Sequence, residues 1–255
     1  MKIACITGAT SGFGKAIAEK FSKNGWNCII TGRRKELLEE IKNDLMKKYN
    51  NQILILNFDI SKENDIVKAI YSIPKEWQKI ELLVNNAGLS LGLESFENTS
   101  MNDMNRMIAT NISGVTSITH QILPFMIERK KGHIINIGSI SSKTVYKNAS
   151  IYCMTKHAID AFSKGLRIDL LQHKIKVTAI HPGAADTEFS AVRFKGDTEK
   201  AKNIYKGYEP LHASDIANVI FFCVEDAGNN VCIDDVVMTC LAQANIHYID
   251  KDVEV

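Results

Sequence analysis

The sequence predicts one α/β domain, a doubly wound parallel sheet with helices on both faces. Three observations carry this expectation. Short apolar runs of strand type alternate with segments of helical periodicity from Lys2 to about Met238, the pattern of a sheet covered on both sides. No Pro/Ser linker, internal repeat or low-complexity tract divides the chain. At 255 residues and 45% apolar content, it is of the size that buries about three-quarters of its unfolded surface in one domain.

Lys2-Ile-Ala-Cys-Ile-Thr7 reads as the first strand, and Lys15 to Phe21 carries Ala16, Ile17 and Phe21 at helical spacing. Between them stand Gly8, Gly12 and Gly14, spaced G-x-x-x-G-x-G. A Walker loop needs a hydroxyl after its lysine. Here Ala16 follows Lys15, which counts against nucleoside triphosphate hydrolysis. Glycines let backbone N–H groups approach a pyrophosphate at the positive end of a helix; a plain strand-to-helix turn is the competing reading. The second strand, Asn27 to Thr31, ends at Gly32-Arg33-Arg34. An enzyme preferring NAD usually places an acid there for the ribose hydroxyls. Two arginines instead offer charge-assisted bonds to a 2′-phosphate, which the upstream glycine turn favours over a mere solvated helix start at Arg33, Arg34 and Lys35. Gln52 to Asp59 is a third strand, with Asp59 at its end available to an adenine amine. Glu81 to Gly88 is a fourth, closing on small residues that let a cofactor lie close.

Farther on, Tyr152 and Lys156 sit four residues apart, thirteen residues after Ser139. On a helix such residues share a face. A tyrosine with a pKa near 10 is a poor base at neutral pH, and lowering it by about 3 units takes roughly 4 kcal/mol. One cation at ~4 Å supplies about that much in a partly polarisable site. The pair can therefore exchange a proton, although alone it reads equally as a surface tyrosine beside a solvated lysine.

With these motifs in order, the chain resembles the short-chain dehydrogenase/reductase family over essentially its whole length. The residues that carry the resemblance are Thr7 to Gly14, Asn85-Asn-Ala-Gly88, Asn111, Ile137-Gly-Ser139, Tyr152 with Lys156, and His181-Pro-Gly183. The resemblance implies a Rossmann-type fold and a catalytic tetrad of Asn111, Ser139, Tyr152 and Lys156. Ser139 would hold the substrate oxygen and Tyr152 would exchange its proton. Lys156 would depress the Tyr152 pKa and grip the nicotinamide ribose, and Asn111 would hold a water leading to solvent. It also implies an NADP(H) site of Gly8, Thr10, Ser11, Gly12, Phe13, Gly14, Arg33, Arg34, Asp59, Ile60, Asn86, Ala87, Gly88, Tyr152, Lys156, Pro182, Gly183 and Thr187, with a substrate lid at about 184–212. A homotetramer is implied through the helices around Asp103 to Met126 and Ile151 to Leu171.

Asn85 to Glu94, Asp186 to Asp197 and Val231 to Met238 are similar, more narrowly, to the NADP-dependent 3-hydroxy acid dehydrogenase branch, which acts on serine, allo-threonine and malonic semialdehyde. A 3-hydroxy acid needs a cation for its carboxylate. Arg193, between Val192 and Phe194, suits a dry pocket as a partner beyond Ser139 and Tyr152, whereas Lys195 beside Gly196 reads as solvated; a structural salt bridge explains Arg193 equally well. Ala184-Ala185 stand where bulkier aliphatics are usual, which suggests a roomier pocket roof. A broad-range NADPH-dependent carbonyl or sugar-alcohol reductase would share every catalytic residue. A catalytically silent NADPH-binding scaffold would share the fold alone, and the intact tetrad counts against it.

The remaining composition sets limits. Net charge is +2, from 31 basic and 29 acidic residues, too balanced for a nucleic-acid footprint. No apolar run reaches the 18 or so residues of a membrane span, and no cleavable signal is visible. Six cysteines without a C-x-x-C pair point to reduced thiols in a cytoplasm. Seven histidines without metal-ligand spacing give no expectation of a metal. His181 reads either as a neighbour of the active site or as a plain strand-end residue.

Overall fold

A computed structural model describes residues 2–251; residues 1 and 252–255 of the expected single domain lie outside the described residues. Strands β1 (Ile3–Ile6), β2 (Asn27–Gly32), β3 (Ile53–Asn57), β4 (Ile80–Asn85), β5 (Gly132–Ile137), β6 (Ile175–Pro182) and β7 (Asp235–Met238) form one sheet. Their order is β3-β2-β1-β4-β5-β6-β7, and every pairing is parallel.

Both faces are covered, which is why the strands read as nearly continuous apolar runs. The two-residue period of β1 sends Ala4 and Ile6 to one face and Ile3 and Cys5 to the other. On the first face pack α1 (Gly12–Lys23), α2 (Lys35–Lys48) and α8 (Ala213–Phe221), through Phe21, Leu38 and Ile220. On the second pack α3 (Glu63–Tyr71) and α5 (Val115–Arg129), through Ile66, Ile118 and Ile122. Burying a side chain of this size is worth about 1.5–3 kcal/mol, so the two aliphatic clusters fix the register of the whole sheet.

The strand order reverses between β1 and β4, and the crevice outside the carboxyl ends at such a reversal is where ligands bind in this architecture. The segments singled out in the sequence follow strand ends around it. They are Gly8 to Gly14 after β1, Arg33-Arg34 after β2, Asp59 after β3, Asn86 to Gly88 after β4 and Ser139 after β5. Three further helices shape the crevice: α4 (Met101–Ile108), α6 (Ser150–Asp169) and α7 (Glu188–Arg193). Between α4 and α5 the helix widens into a π turn over Ala109–Gly114, a local distortion frequent at functional sites.

Candidate active site

The crevice holds a cavity of about 540 Å³. At one end Gly8 (φ +66°) and Gly12 (φ +51°) adopt left-handed backbone, which a side chain would strain. A Cβ on Gly8 would also stand 2.9 Å from Ala87 Cα. Thr7 Oγ1 accepts from the Asn86 and Ala87 N–H groups, both at 2.9 Å. Asn86 Nδ2 donates back to the Thr7 carbonyl at 2.8 Å, so the turns after β1 and β4 are clamped together. Ser11, the N-cap of α1, makes no side-chain cap bond, and the first turn carries no acid. The N–H groups at the positive end of α1 therefore remain open to an anion, beside Thr10, Ser11, Gly12 and Phe13 on the cavity wall. Gly14, expected among the cofactor contacts, does not line the cavity. A Cβ there would meet the Gly8 carbonyl oxygen at 2.3 Å, so its small size serves close packing of the helix against the turn.

Arg34 is the N-cap residue of α2, yet its side chain turns back across the glycine turn. Its Nη2 donates to Thr10 Oγ1 at 2.8 Å and Ser11 Oγ at 3.1 Å and pairs with Glu188 at 3.0 Å. Arg33 lies 3.8 Å from the Asp59 carboxylate. Against the desolvation that burial imposes, the Ser61 N–H and hydroxyl, with Arg33, hold Asp59 below the usual carboxylate range. A cluster of two guanidiniums, two hydroxyls and uncapped N–H groups suits the phosphates of NADP(H). Asp59, Ile60, Ala87, Gly88, Pro182, Gly183 and Thr187 continue the same wall.

At the other end, α6 presents buried Tyr152 and Lys156 on one face, opposite the Ser139 turn. Ser139 Oγ donates to Ser141 Oγ at 3.1 Å and accepts from the Ser141 N–H at 3.1 Å. Lys156 Nζ donates to the Ile137 carbonyl at 2.8 Å. Asn111, carried inward by the π turn, accepts from the Leu89 N–H and donates to the Leu89 carbonyl, both at 2.8 Å, and donates to Thr155 Oγ1 at 3.1 Å. Ser139, Tyr152 and Lys156 thus line the cavity, with Asn111 behind its wall rather than on it.

The expected charge coupling differs. Burial pushes Tyr152 up to about 12, with Arg193 and a hydrogen bond from Ser139 lowering it and Tyr146 raising it. Burial likewise pulls Lys156 down to about 8. Arg193 Cζ stands 5.0 Å from the Tyr152 ring centroid, while Lys156 Nζ stands at 5.9 Å. For Tyr152 desolvation outweighs the lowering by Arg193 and Ser139, and of the two cations Arg193 stands nearer its ring.

Arg193 ends α7. Its Nε donates to Ser90 Oγ at 3.0 Å and its Nη2 to the Tyr146 hydroxyl at 3.0 Å. It forms no ion pair with a carboxylate among the described residues. Two contacts pin the helix end that carries it. The Gly92 N–H donates to the Arg193 carbonyl at 2.8 Å, and Lys195, read from sequence as solvated, pairs with the buried Asp103 at 2.8 Å.

The short chain dehydrogenase family model matches residues 2–198. The chain is 40% identical, over 92% of both chains, to an NADP-dependent 3-hydroxy acid dehydrogenase of Schizosaccharomyces pombe. It is 42% identical, over 85% of both, to a serine 3-dehydrogenase of Agrobacterium fabrum. This chain belongs to the short-chain dehydrogenase family. Among solved structures, the closed form of a serine dehydrogenase complexed with NADP+ matches with a TM-score of 0.90 at 39% identity, covering 96% of this chain and 97% of that one.

In this short-chain dehydrogenase the partners of Arg193 and the roof of the cavity come from segments that no motif marks. Ser90 and Tyr146 lie 103 and 47 positions from Arg193, and no local pattern joins them to it. The C-terminal segment closes the roof. Gln243 Oε1 accepts from the Ala184 N–H at 2.8 Å, Tyr205 donates to the Ala185 carbonyl at 2.7 Å, and Ile246 and Ile249 line the cavity. The space expected at Ala184-Ala185 is thereby bounded by Tyr205, Gln243 and this segment.

Proposed function

We propose that this protein is an NADP(H)-dependent oxidoreductase that interconverts a small 3-hydroxy acid and its 3-oxo acid. The substrates are of the serine, allo-threonine, 3-hydroxypropionate or 3-hydroxyisobutyrate type. The observation that carries the reading is Arg193, a cation over the Tyr152 ring with no acidic partner among the described residues. A carboxylate entering beside Tyr152 would otherwise be buried unpaired, at a penalty of several kcal/mol. The relatives named above bear activities of the same class.

Gly8, Gly12 and the α1 N-terminus would hold the pyrophosphate, Arg33 and Arg34 the 2′-phosphate, and Asp59 and Ile60 the adenine. Asn86 to Gly88, Pro182, Gly183 and Thr187 would border the nicotinamide half, with Tyr152 and Lys156 at its ribose. When bound there, NADP(H) supplies or accepts the hydride. In oxidation Tyr152 takes the hydroxyl proton of the substrate, and in reduction it returns a proton to the carbonyl oxygen. Ser139 holds that oxygen by a hydrogen bond, and Arg193 holds the carboxylate. Lys156, through its ammonium, stabilises the tyrosinate. Asn111, gripping both backbone groups of Leu89, keeps the π turn open behind Lys156 for a proton path by way of water.

Six free cysteines support a reducing, cytoplasmic setting. Among the described residues no helix is long and apolar enough to cross a membrane. Exposed Met101, Met154, Ile168 and Leu171, on or beside α4 and α6, support a homotetramer built on those helices. The test is NADP+ reduction with serine, allo-threonine, 3-hydroxyisobutyrate and 3-hydroxypropionate against sugar alcohols and a 2-alkanol. Equal kcat/KM for charged and uncharged substrates would favour the broad-range reductase.

A further inference from the structure

His181 stands one residue before Pro182 on β6 and is fully buried. Its Nδ1 is 3.2 Å from the Ser139 carbonyl oxygen. A carbonyl only accepts, so this bond requires the ring proton on Nδ1. The ring also fills the space beside the turn: a Cβ on Gly138 would stand 2.3 Å from Nδ1. The far side of the ring meets acids. Nε2 lies 3.0 Å from Asp235 Oδ1 and 3.6 Å from Asp160 Oδ1, but none of these contacts has hydrogen-bond geometry, which leaves Nε2 unpartnered.

Those carboxylates are held by ammonium groups instead. Lys143 Nζ reaches Asp160 Oδ1 at 2.8 Å and also bonds Asp235 Oδ2; Lys164 Nζ holds Asp160 Oδ2 at 2.7 Å. Asp160, His181 and Asp235 have ligand atoms within 4.8 Å of one another, the spacing of a metal centre, and the Lys143 ammonium already bridges the two acids. Burial keeps His181 below its ordinary pKa, with Asp235 and Asp160 opposing and Lys143 assisting. At neutral pH the single ring proton is then free to serve Ser139.

We propose that His181 is a positioning residue for the reaction, fixing the Ser139 turn through Nδ1 while Asp160, Asp235 and Lys143 enclose the ring from behind. The inference rests on the reading of Ser139 as the residue that holds the substrate oxygen. The Ser139 N–H is tied to Ser142 Oγ at 3.2 Å and its carbonyl accepts the Ser142 N–H at 2.8 Å, both within the turn itself, so His181 supplies the restraint that ties the turn to β6. Losing it lets the hydroxyl drift from the position shared with Tyr152, and a displacement of this kind acts on the chemical step more than on cofactor binding.

The side-chain amide offers a test by geometry. In His181→Asn the Nδ2 donor takes the place of Nδ1 and nothing replaces Nε2. In His181→Gln the amide moves out toward Asp235 and the Nδ1 position becomes a methylene. Turnover in His181→Asn should stay within about threefold of the parent, whereas His181→Gln should lose about tenfold in kcat, the scale of one hydrogen bond. NADPH binding, followed by its fluorescence, should be unchanged in both. In a Ser139→Ala background His181→Gln should cost less than about twofold more, because its effect passes through Ser139. Equal losses in Asn and Gln, or a tenfold Gln loss that persists without the Ser139 hydroxyl, overturn the proposal. Should His181→Gln not fold, a folded His181→Asn that loses about tenfold in kcat overturns it alone. Full turnover in Ser139→Ala overturns the reading of Ser139 itself, a result distinct from the others, and the inference falls with it.

Discussion

Replacing Arg193 by Met keeps much of the side chain's length and apolar stem and removes the charge. The guanidinium is half-buried, over the rings of Tyr152 and Phe189 at 5.0 and 5.4 Å, and only its Nε and Nη2 are committed, to Ser90 and Tyr146. Removing one partner of a fully buried ion pair costs about 3–5 kcal/mol. Partial exposure reduces this, and about 2 kcal/mol is the fitting figure, or ~30-fold in kcat/KM. An uncharged 2-alkanol should lose far less, because it forfeits no ion pair. Because Arg193 lowers the Tyr152 pKa, its removal should also shift the pH profile for both substrates toward higher pH. The assay is steady-state NADP+ reduction with 3-hydroxyisobutyrate and a 2-alkanol, parent and variant, across pH. The decisive quantity is the ratio of the two losses: a ratio near unity refutes the carboxylate role and makes Arg193 a brace for Ser90 and Tyr146.

Three further outcomes follow from the same geometry. Tyr152→Phe should lower turnover by about 10²–10⁴-fold, the range for loss of a general acid/base, with NADPH binding by fluorescence near normal; retained activity would remove the proton-transfer mechanism. Arg33→Asp should cut the preference for NADPH over NADH by at least about tenfold through loss of a charge-assisted phosphate contact, measured as the ratio of kcat/KM values. The buried His133, held by Thr178 Oγ1 at 2.8 Å, is pulled by burial down to about 3 from an ordinary 6.5. The unfolded chain therefore binds a proton that the folded chain refuses between those values, and stability present above about pH 6.5 is lost as pH falls through that window, at up to ~1.4 kcal/mol per pH unit. Urea midpoints measured across the window should fall with acid, and a His133→Asn variant should show a shallower slope.

The fold was legible because the inner strands bury both faces. Runs such as Asn27 to Thr31 and Gln52 to Asp59 announce themselves in composition, and the glycine turn marks the first crossover. Boundaries were less so: periodicity starts the first helix at Lys15, while hydrogen bonding starts α1 at Gly12, since glycine supplies no periodic signal. The site was legible where chemistry sits at a strand end or on one helix face, as with Ser139, Tyr152 and Lys156. It was not legible where distant segments meet. Nothing in the sequence joins Arg193 to Ser90 and Tyr146, or places Gln243 and Ile249 over Ala184-Ala185.

Charge strength was the harder quantity, because spacing on a helix gives proximity and leaves dielectric unstated. The four-residue interval does put Tyr152 and Lys156 on one face, yet both are buried and each is pushed toward its neutral form, up to about 12 and down to about 8. A lysine whose own charge is weakened by burial can depress a tyrosine only where something else stabilises the ammonium, and here the Ile137 carbonyl does so from one side alone. Arg193 is the nearer of the two cations to the ring. If a substrate carboxylate pairs with Arg193, part of that field is neutralised, and the burden of stabilising tyrosinate moves to Lys156. Oxidation of a charged substrate should then depend on Lys156 more steeply than oxidation of an uncharged one. The comparison is kcat for both substrates in Lys156→Ala relative to the parent: a larger fall for the 3-hydroxy acid supports this division of labour, and equal falls refute it.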